Sequence, residues 1–180
     1  MEASKIQLRD IREHLLIRKA EYSDLPIITA IYNHAVMTTT ATMDTQKRTE
    51  AEGNFWFKQH ENKYPILVAE WDRMISGWGS LSPWSDRIGY SKTVELSFYV
   101  KEEFRGKGIG KKLMEALLAE GGKFGFHSIL SRITADNQVS LGIHRSFGFR
   151  EVGILREVGR KFNHWHDVVI LEKIFPEQPA

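Results

Sequence analysis

None of the 180 residues is cysteine. That absence removes disulfides, thiolate metal sites and any cysteinyl acyl-enzyme. It suits a reducing compartment, and a cytoplasmic location is expected. No run approaches the ~18 consecutive apolar residues of a spanning helix, so no membrane partner is expected. The first residues are mixed charged and polar, without the apolar core of a secretory signal. Residues 1–14 read as an N-terminal extension and 176–180 as a short tail. Charge of one sign is also lacking. The 25 basic side chains face 23 acidic ones, a formal net charge of +2, so no global field selects nucleic acid. No repeat, low-complexity stretch or linker interrupts residues 15–175. A hydrophobic content of 42% suits a single domain there with a sizeable core.

The elements follow from periodicity and punctuation. Residues 15–19 read as a first strand. Ser23 and Asp24 offer an N-cap, and Pro26 suits a first helical turn. Leu25, Ile28, Ile31, Tyr32 and Ala35 then recur at helical spacing until the β-branched, hydroxyl-bearing stretch 38–42. Thr49 and Glu52 have the spacing of a capping box, which predicts a second helix to about His60. Strands are expected at 66–71 and 74–81 around an Asp72-Arg73 turn. An aromatic-rich loop spans 82–92, and a β-branched and aromatic strand spans 93–100. A helix starts in a glycine segment and runs to about 119, with Ile109, Leu113, Met114, Leu117 and Leu118 on its buried stripe. A strand at 128–134, a helix at 138–146 and strands at 150–158 and 165–174 complete the order. This order predicts an α+β fold, with a mixed, mostly antiparallel sheet and helices on both faces.

Gly106, Gly108 and Gly110 alternate across the strand-to-helix junction. Glycines there let backbone N–H groups turn inward, and the helix start adds partial positive charge. Together they suit a pyrophosphate, with Arg105, Lys107, Lys111 and Lys112 adding fixed charge. The Walker pattern G-x-x-x-x-G-K-[ST] is absent. The dinucleotide pattern G-x-G-x-x-G fails because Lys111 stands where the third glycine belongs. That pattern also belongs after the first strand of a parallel unit, not late in a mixed sheet.

Arg105-x-x-Gly108-x-Gly110, following Val94-Glu95-Leu96-Ser97-Phe98-Tyr99-Val100, resembles the acyl-CoA signature of the GCN5-related N-acetyltransferases (GNAT). Asn137, Ser140, His144, Gly148 and Phe149 match the second half of that signature. The resemblance covers residues 15–175 and includes the element order. Within the family, Ile31-Tyr32-Asn33-x-Ala35-Val36, Tyr64-Pro65-Ile66-Leu67-Val68-Ala69, Thr93-Val94-Glu95 and Gly159-x-Lys161-Phe162-x-x-Trp165-x-Asp167 resemble the phosphinothricin and methionine sulfoximine acetyltransferase branch.

The resemblance implies the GNAT fold, acetyl-CoA as co-substrate and a small-molecule amine as acceptor. Pantetheine would lie along Phe98, Tyr99 and Val100 like an added strand. The phosphates would meet Arg105, Gly106, Lys107, Gly108, Ile109, Gly110 and Lys111, and the cofactor arm would meet Asn137, Ser140 and His144. The branch also implies a homodimer, with the aromatic loop near Trp84 reaching a neighbour.

Acetyl transfer needs a held thioester, a stabilised oxyanion, a deprotonated amine and a proton for the thiolate. Without cysteine, direct attack in a ternary complex is the simpler route. Glu95 is the expected base, acting through water; its alternative is a structural ion pair. His144 or Tyr99 is the expected proton donor, and a satisfied core histidine is the alternative for His144. His164-Trp165-His166-Asp167 places two histidines on one strand face, but no third close ligand is evident and no metal is expected. The acceptor pocket is expected to draw on Tyr32, Asn33, Thr39, Thr40, Trp84, Arg87, Glu95, Lys161 and His166. In the branch an Arg often follows the Trp84 position, where this chain has Ser85. The competing readings are an acetyltransferase for a polyamine or a protein amine, and a non-catalytic acyl-CoA-binding module.

Overall fold

Alternation along the central strands divides their side chains between two cores. The computed structural model of the chain describes residues 14–61 and 63–175, so residues 1–13 of the expected extension and the tail at 176–180 lie outside the described residues. The strands are β1 (Leu15–Lys19), β2 (Ile66–Trp71), β3 (Met74–Pro83), β4 (Thr93–Val100), β5 (Ser128–Thr134), β6 (Arg150–Lys161) and β7 (His164–Ile174). The helices are α1 (Leu25–Thr38), α2 (Glu50–His60), α3 (Ile109–Lys123) and α4 (Gln138–Ser146).

In β2, Leu67 and Ala69 join one core while Ile66 and Val68 join the other, and all four are buried. The first core packs Leu81, Val94, Leu96, Ile129 and Leu171 against Leu113, Met114 and Leu117 of α3 and Leu141 of α4. The second packs Ile75 and Trp78 against Ile28, Ile31, Tyr32 and Val36 of α1 and Phe57 of α2. The sheet therefore carries helices on both faces, as its two-sided apolar strands require. The capping box forms: Glu52 N–H donates to the Thr49 hydroxyl, and Thr49 N–H donates to the Glu52 carboxylate at 2.8 Å.

Strand β3 runs two residues past its expected end, to Pro83, and the larger departures from the sequence reading lie in two other places. Helix α3 continues past 119 to Lys123 because Gly121 lets it press on Leu81 and Ile129, at 3.2 and 3.3 Å from where a Cβ would stand. Strands β6 and β7 extend to a two-residue turn at Phe162 and Asn163, with φ of 50° and 63°. A phenylalanine in the left-handed region is a poor turn signal, which hid that hairpin.

The sheet order is β1-β2-β3-β4-β5-β7-β6. Every neighbouring pair is antiparallel except β4 with β5. Those two pair through only three rungs, Thr93 with Ser128, Val94 with Ile129 and Glu95 with Leu130. Beyond them β4 stays with β3 through Val100, and β5 stays with β7 through Thr134. The sheet splits at Glu95, and this wedge positions the site.

Candidate active site

The split leaves one edge of β4 without a strand. Ser131 Oγ on β5 lies 3.3 Å from the Leu96 carbonyl, while Lys101 N–H donates to the Ser76 carbonyl of β3 at 2.9 Å. Alternate residues of a strand direct their backbone polar groups to opposite edges. Phe98 and Val100 therefore present their N–H and C=O groups to the split. Such an edge accepts an extended ligand arm as an added strand.

A cleft of about 1230 Å³ occupies the split. Its walls include Phe98, Tyr99 and Val100 from β4, and Asn137 and Ser140 from the start of α4. Arg105, Gly106, Gly108, Ile109, Gly110 and Lys111 line the end at the glycine turn. Sequence reasoning missed the opposite wall, which α1 supplies through Ile27, Ala30, Ile31 and His34.

The glycine turn is built for an anion. Gly108 is the N-cap of α3 with φ of 78°, a left-handed conformation that other residues adopt at a cost. It has no side chain to bond the first-turn N–H groups, which stay open to a ligand. Gly110 serves contact: a Cβ there would stand 3.1 Å from Phe98 Cε2 and 3.4 Å from Ile143 Cδ1. The Lys107 side chain is the exception along this turn. Its ammonium sits over the rings of Trp71 and Phe104, 4.9 Å from each centroid, and its side chain is not part of the cleft wall.

Asn137 caps α4 by accepting from Ser140 N–H at 3.1 Å. His144, one turn further on, is 2% exposed and lies behind the cleft. Its Nδ1–H donates to the Ser140 carbonyl at 2.8 Å, and its Nε2 accepts from Ser131 Oγ at 3.0 Å. The ring stacks on Phe98 and meets Phe149 edge-on. Burial pushes its pKa down to about 4, the Ser140 contact opposing. His144 is thus placed as a buried core histidine with both ring nitrogens bonded, supporting Phe98, the alternative that the sequence left open beside proton donation.

At the closed end of the split, Glu95 stands on the same face of β4 as Tyr99. Its carboxylate receives both Nε and Nη2 of Arg132 from β5, at 2.7 and 2.5 Å. The Arg132 guanidinium also lies over the Trp84 ring, 5.4 Å from its centroid. Arg132 was missed from sequence, because only the register of β4 on β5 brings it to Glu95. Tyr99 contributes to the cleft wall, while its ring packs on Tyr32 and Trp78 and its hydroxyl is enclosed and bonded to Thr42; burial pushes its pKa upward.

The remaining acceptor residues mostly hold a strap, residues 39–48, that joins α1 to α2. Asn33 grips the Arg48 backbone twice, its Nδ2 donating to the carbonyl at 2.9 Å and its Oδ1 accepting from the N–H at 2.7 Å. The Tyr32 hydroxyl donates to Asp44, and burial pushes its pKa up to about 12. Buried Lys161 donates to the Thr42 carbonyl at 2.7 Å, with desolvation lowering its pKa against the pull of Asp44. His166 Nε2 donates to the Lys161 carbonyl at 3.2 Å. Thr40 donates to Asp136 at 3.2 Å and accepts from Thr134, and both Thr39 and Thr40 line the cofactor cleft rather than a separate pocket. Arg87 lies exposed in the loop after β3, where its backbone N–H bonds Ser85 Oγ. Among the described residues no group of three or more His, Cys, Asp or Glu is placed to hold a metal.

A family profile described as acetyltransferase (GNAT) domain matches residues 17–170. The chain is 38% identical over 158 residues to an L-methionine sulfoximine/L-methionine sulfone acetyltransferase of Pseudomonas aeruginosa, covering 87% of this chain and 92% of that protein. It is 32% identical over 169 residues to a phosphinothricin N-acetyltransferase of Streptomyces viridochromogenes, covering 94% and 92%. A GNAT superfamily phosphinothricin acetyltransferase from Sinorhizobium meliloti, solved in complex with AcCoA, superposes with a TM-score of 0.88 at 31% identity, covering 93% and 94%.

Proposed function

The chain belongs to the GNAT acetyltransferase family and is an acetyl-CoA-dependent N-acetyltransferase, and from that footing we propose that it acetylates the α-amine of a small amino acid or toxic analogue. Methionine sulfoximine, methionine sulfone and phosphinothricin represent the class. The observation that carries this reading is the split itself. One wedge joins an open strand edge, an anion-binding helix start and, at its closed end, a carboxylate fixed by an arginine.

The residues fit coenzyme A. The open edge at Phe98 and Val100 suits the amides of pantetheine, and the turn from Arg105 to Lys111 suits its phosphates. Acetyl-CoA supplies an activated thioester. The backbone N–H groups on the open edge of β4 polarise its carbonyl. Glu95 takes the ammonium proton through a water, so that the amine nitrogen can bond the carbonyl carbon as the C–S bond breaks. The thiolate takes back a proton from water or from the Tyr99 phenol, whose hydroxyl must first leave Thr42. Its raised pKa keeps the phenol protonated at neutral pH.

The enzyme works as a homodimer in the cytoplasm, where acetyl-CoA is made and thiols stay reduced. Exposed Val152, Ile154, Leu155, Val158, Phe162 and Trp165 crowd the β6–β7 hairpin at one edge of the sheet, and Ile88 and Tyr90 are exposed in the loop after β3. Apolar surface of this extent on an edge hairpin calls for a partner.

Thiol release from acetyl-CoA tests the activity on methionine sulfoximine, methionine sulfone, phosphinothricin, the common amino acids, spermidine and a lysine peptide. The amino-acid class is expected to turn over with the highest kcat/KM. Glu95→Gln is expected to lower kcat about 10²-fold or more while acetyl-CoA binding stays intact. Turnover of the polyamine or peptide alone would overturn the acceptor class, and unchanged Glu95→Gln activity across pH would overturn the base.

A further inference from the structure

We infer that Arg132 reads the carboxylate of the acceptor, so that the Glu95–Arg132 pair is a receptor for a zwitterion. The inference rests on the α-amine reading above and narrows it. Arg132 spends Nε and Nη2 on Glu95, which leaves Nη1 without a hydrogen-bond partner among the described residues. The guanidinium is planar and lies over the Trp84 ring, 5.4 Å from its centroid, so the open nitrogen shares the plane that the Glu95 bonds fix. Its side chain is 56% exposed, whereas the Glu95 side chain is 18% exposed, so the open edge faces the solvent side of the pair.

An α-amino acid carries its ammonium and carboxylate on one carbon, with nitrogen and oxygen about 3 Å apart by standard bond lengths. Glu95 and Arg132 carry the opposite charges at the same scale, 2.5 Å apart. Each Glu95 oxygen has lone pairs beyond those taken by Arg132, so it accepts from an ammonium or a water while the pair stays closed. A carboxylate beside it meets the third guanidinium nitrogen as a charge-assisted bond. Bracing alone does not explain the pair, since three backbone rungs already join β4 to β5 at this point.

Two other cations at this end are enclosed by protein, although the buried Arg48 Nη1 also has no hydrogen-bond partner among the described residues. The Arg48 guanidinium lies between Tyr32 and Trp56, 4.2 and 4.8 Å from the ring centroids. Lys161 is buried on the Thr42 carbonyl. Arg87 is a rival from the solvent side, in an exposed loop.

The test compares the best amino-acid acceptor with its primary amide and its methyl ester in the wild-type enzyme. The amide and ester amines are less basic, so more of each is unprotonated at neutral pH, and a preference for the free acid runs against that advantage. The free acid is expected to exceed both by roughly 30-fold or more in kcat/KM, the scale of one charged pair lost. Arg132→Gln should lower kcat on acid and amide alike, because Glu95 loses the arginine that holds it, and should in addition remove most of that ratio by raising KM for the free acid alone. Arg132→Lys should restore part of it, and Arg87→Gln should leave it unchanged. Equal wild-type use of acid and amide would overturn the inference while leaving the acetyltransferase reading intact. An acid-to-amide ratio that stays at the wild-type value in both Arg132 variants, whatever the common loss in kcat, would make the arginine only a brace for Glu95 and would also overturn it. Bound acetyl-CoA with no amino acid or amide acetylated would sink the α-amine reading and this inference with it.

Discussion

His144 is where a motif position and its chemistry separate. Its place in the signature suggested a group that donates near neutral pH, but burial and two internal bonds leave it neutral. The pH dependence of stability follows. The unfolded chain binds this proton below about 6.5, and the folded chain binds it only below about 4. Above pH 6.5 neither form carries the proton and the full stability is present. As pH falls from 6.5 to 4, the unfolded state alone gains the proton, and stability drops by up to ~1.4 kcal/mol per unit. His60, buried on Trp56 and Ser82, is displaced in the same direction, mainly by desolvation. Thermal unfolding from pH 7.5 to 4 should show this fall, and His144→Gln should flatten it in part. The same variant should keep the neutral limb of the rate profile. A limb that vanished with His144 would return the residue to proton transfer.

The element that matters most is the junction of β4 with α3. Its glycines do separate jobs: Gly108 turns the chain through the left-handed region, and Gly110 admits Phe98. Gly110→Ala should press Phe98 toward the cleft by a few tenths of an ångström. The expected result is a several-fold rise in KM for acetyl-CoA with kcat changed less than twofold, measured at saturating acceptor. An unchanged KM with a loss of Tm would mean that Phe98 yields into the core instead. The strap at 39–48 is the other element with consequences. It is tied to α1 by Asn33 and Tyr32, to β5 by Thr134 and to the β6–β7 hairpin by Lys161, so it joins the cofactor cleft to the sheet's far edge.

For the molecule as a whole, the open question of assembly lies on the β6–β7 hairpin. Its exposed apolar side chains sit beside a strand edge that no other strand among the described residues pairs with. Trp165→Asp and Leu155→Asp should convert a dimer to a monomer in sedimentation at micromolar concentration, with Tm lowered for the released subunit. A wild-type chain that sediments as a monomer up to about 100 µM would remove the dimer from the proposal. Among the described residues no helix is long and apolar enough to cross a membrane.

The sequence by itself determined the element order, the capping box at Thr49 and Glu52, and the anion-binding turn. Each rests on local physics: periodicity, a cap three residues from its partner, and glycine where φ is positive. It also marked most of the cleft wall on the side of β4, since that wall is one strand edge, one turn and one helix start, each continuous in the chain. The tertiary structure alone decided the acceptor end. Glu95 meets Arg132 across 37 residues because β4 and β5 pair in parallel for three rungs and then part. Lys161 reaches Thr42 across 119 residues, and His144 faces inward because α4 turns that side to Ser131 and Phe149. Spacing in a sequence carries no trace of such register. The missing cysteine removed a covalent intermediate from the outset, and the split sheet supplied what direct transfer needs instead: an open edge beside a carboxylate that an arginine holds in place.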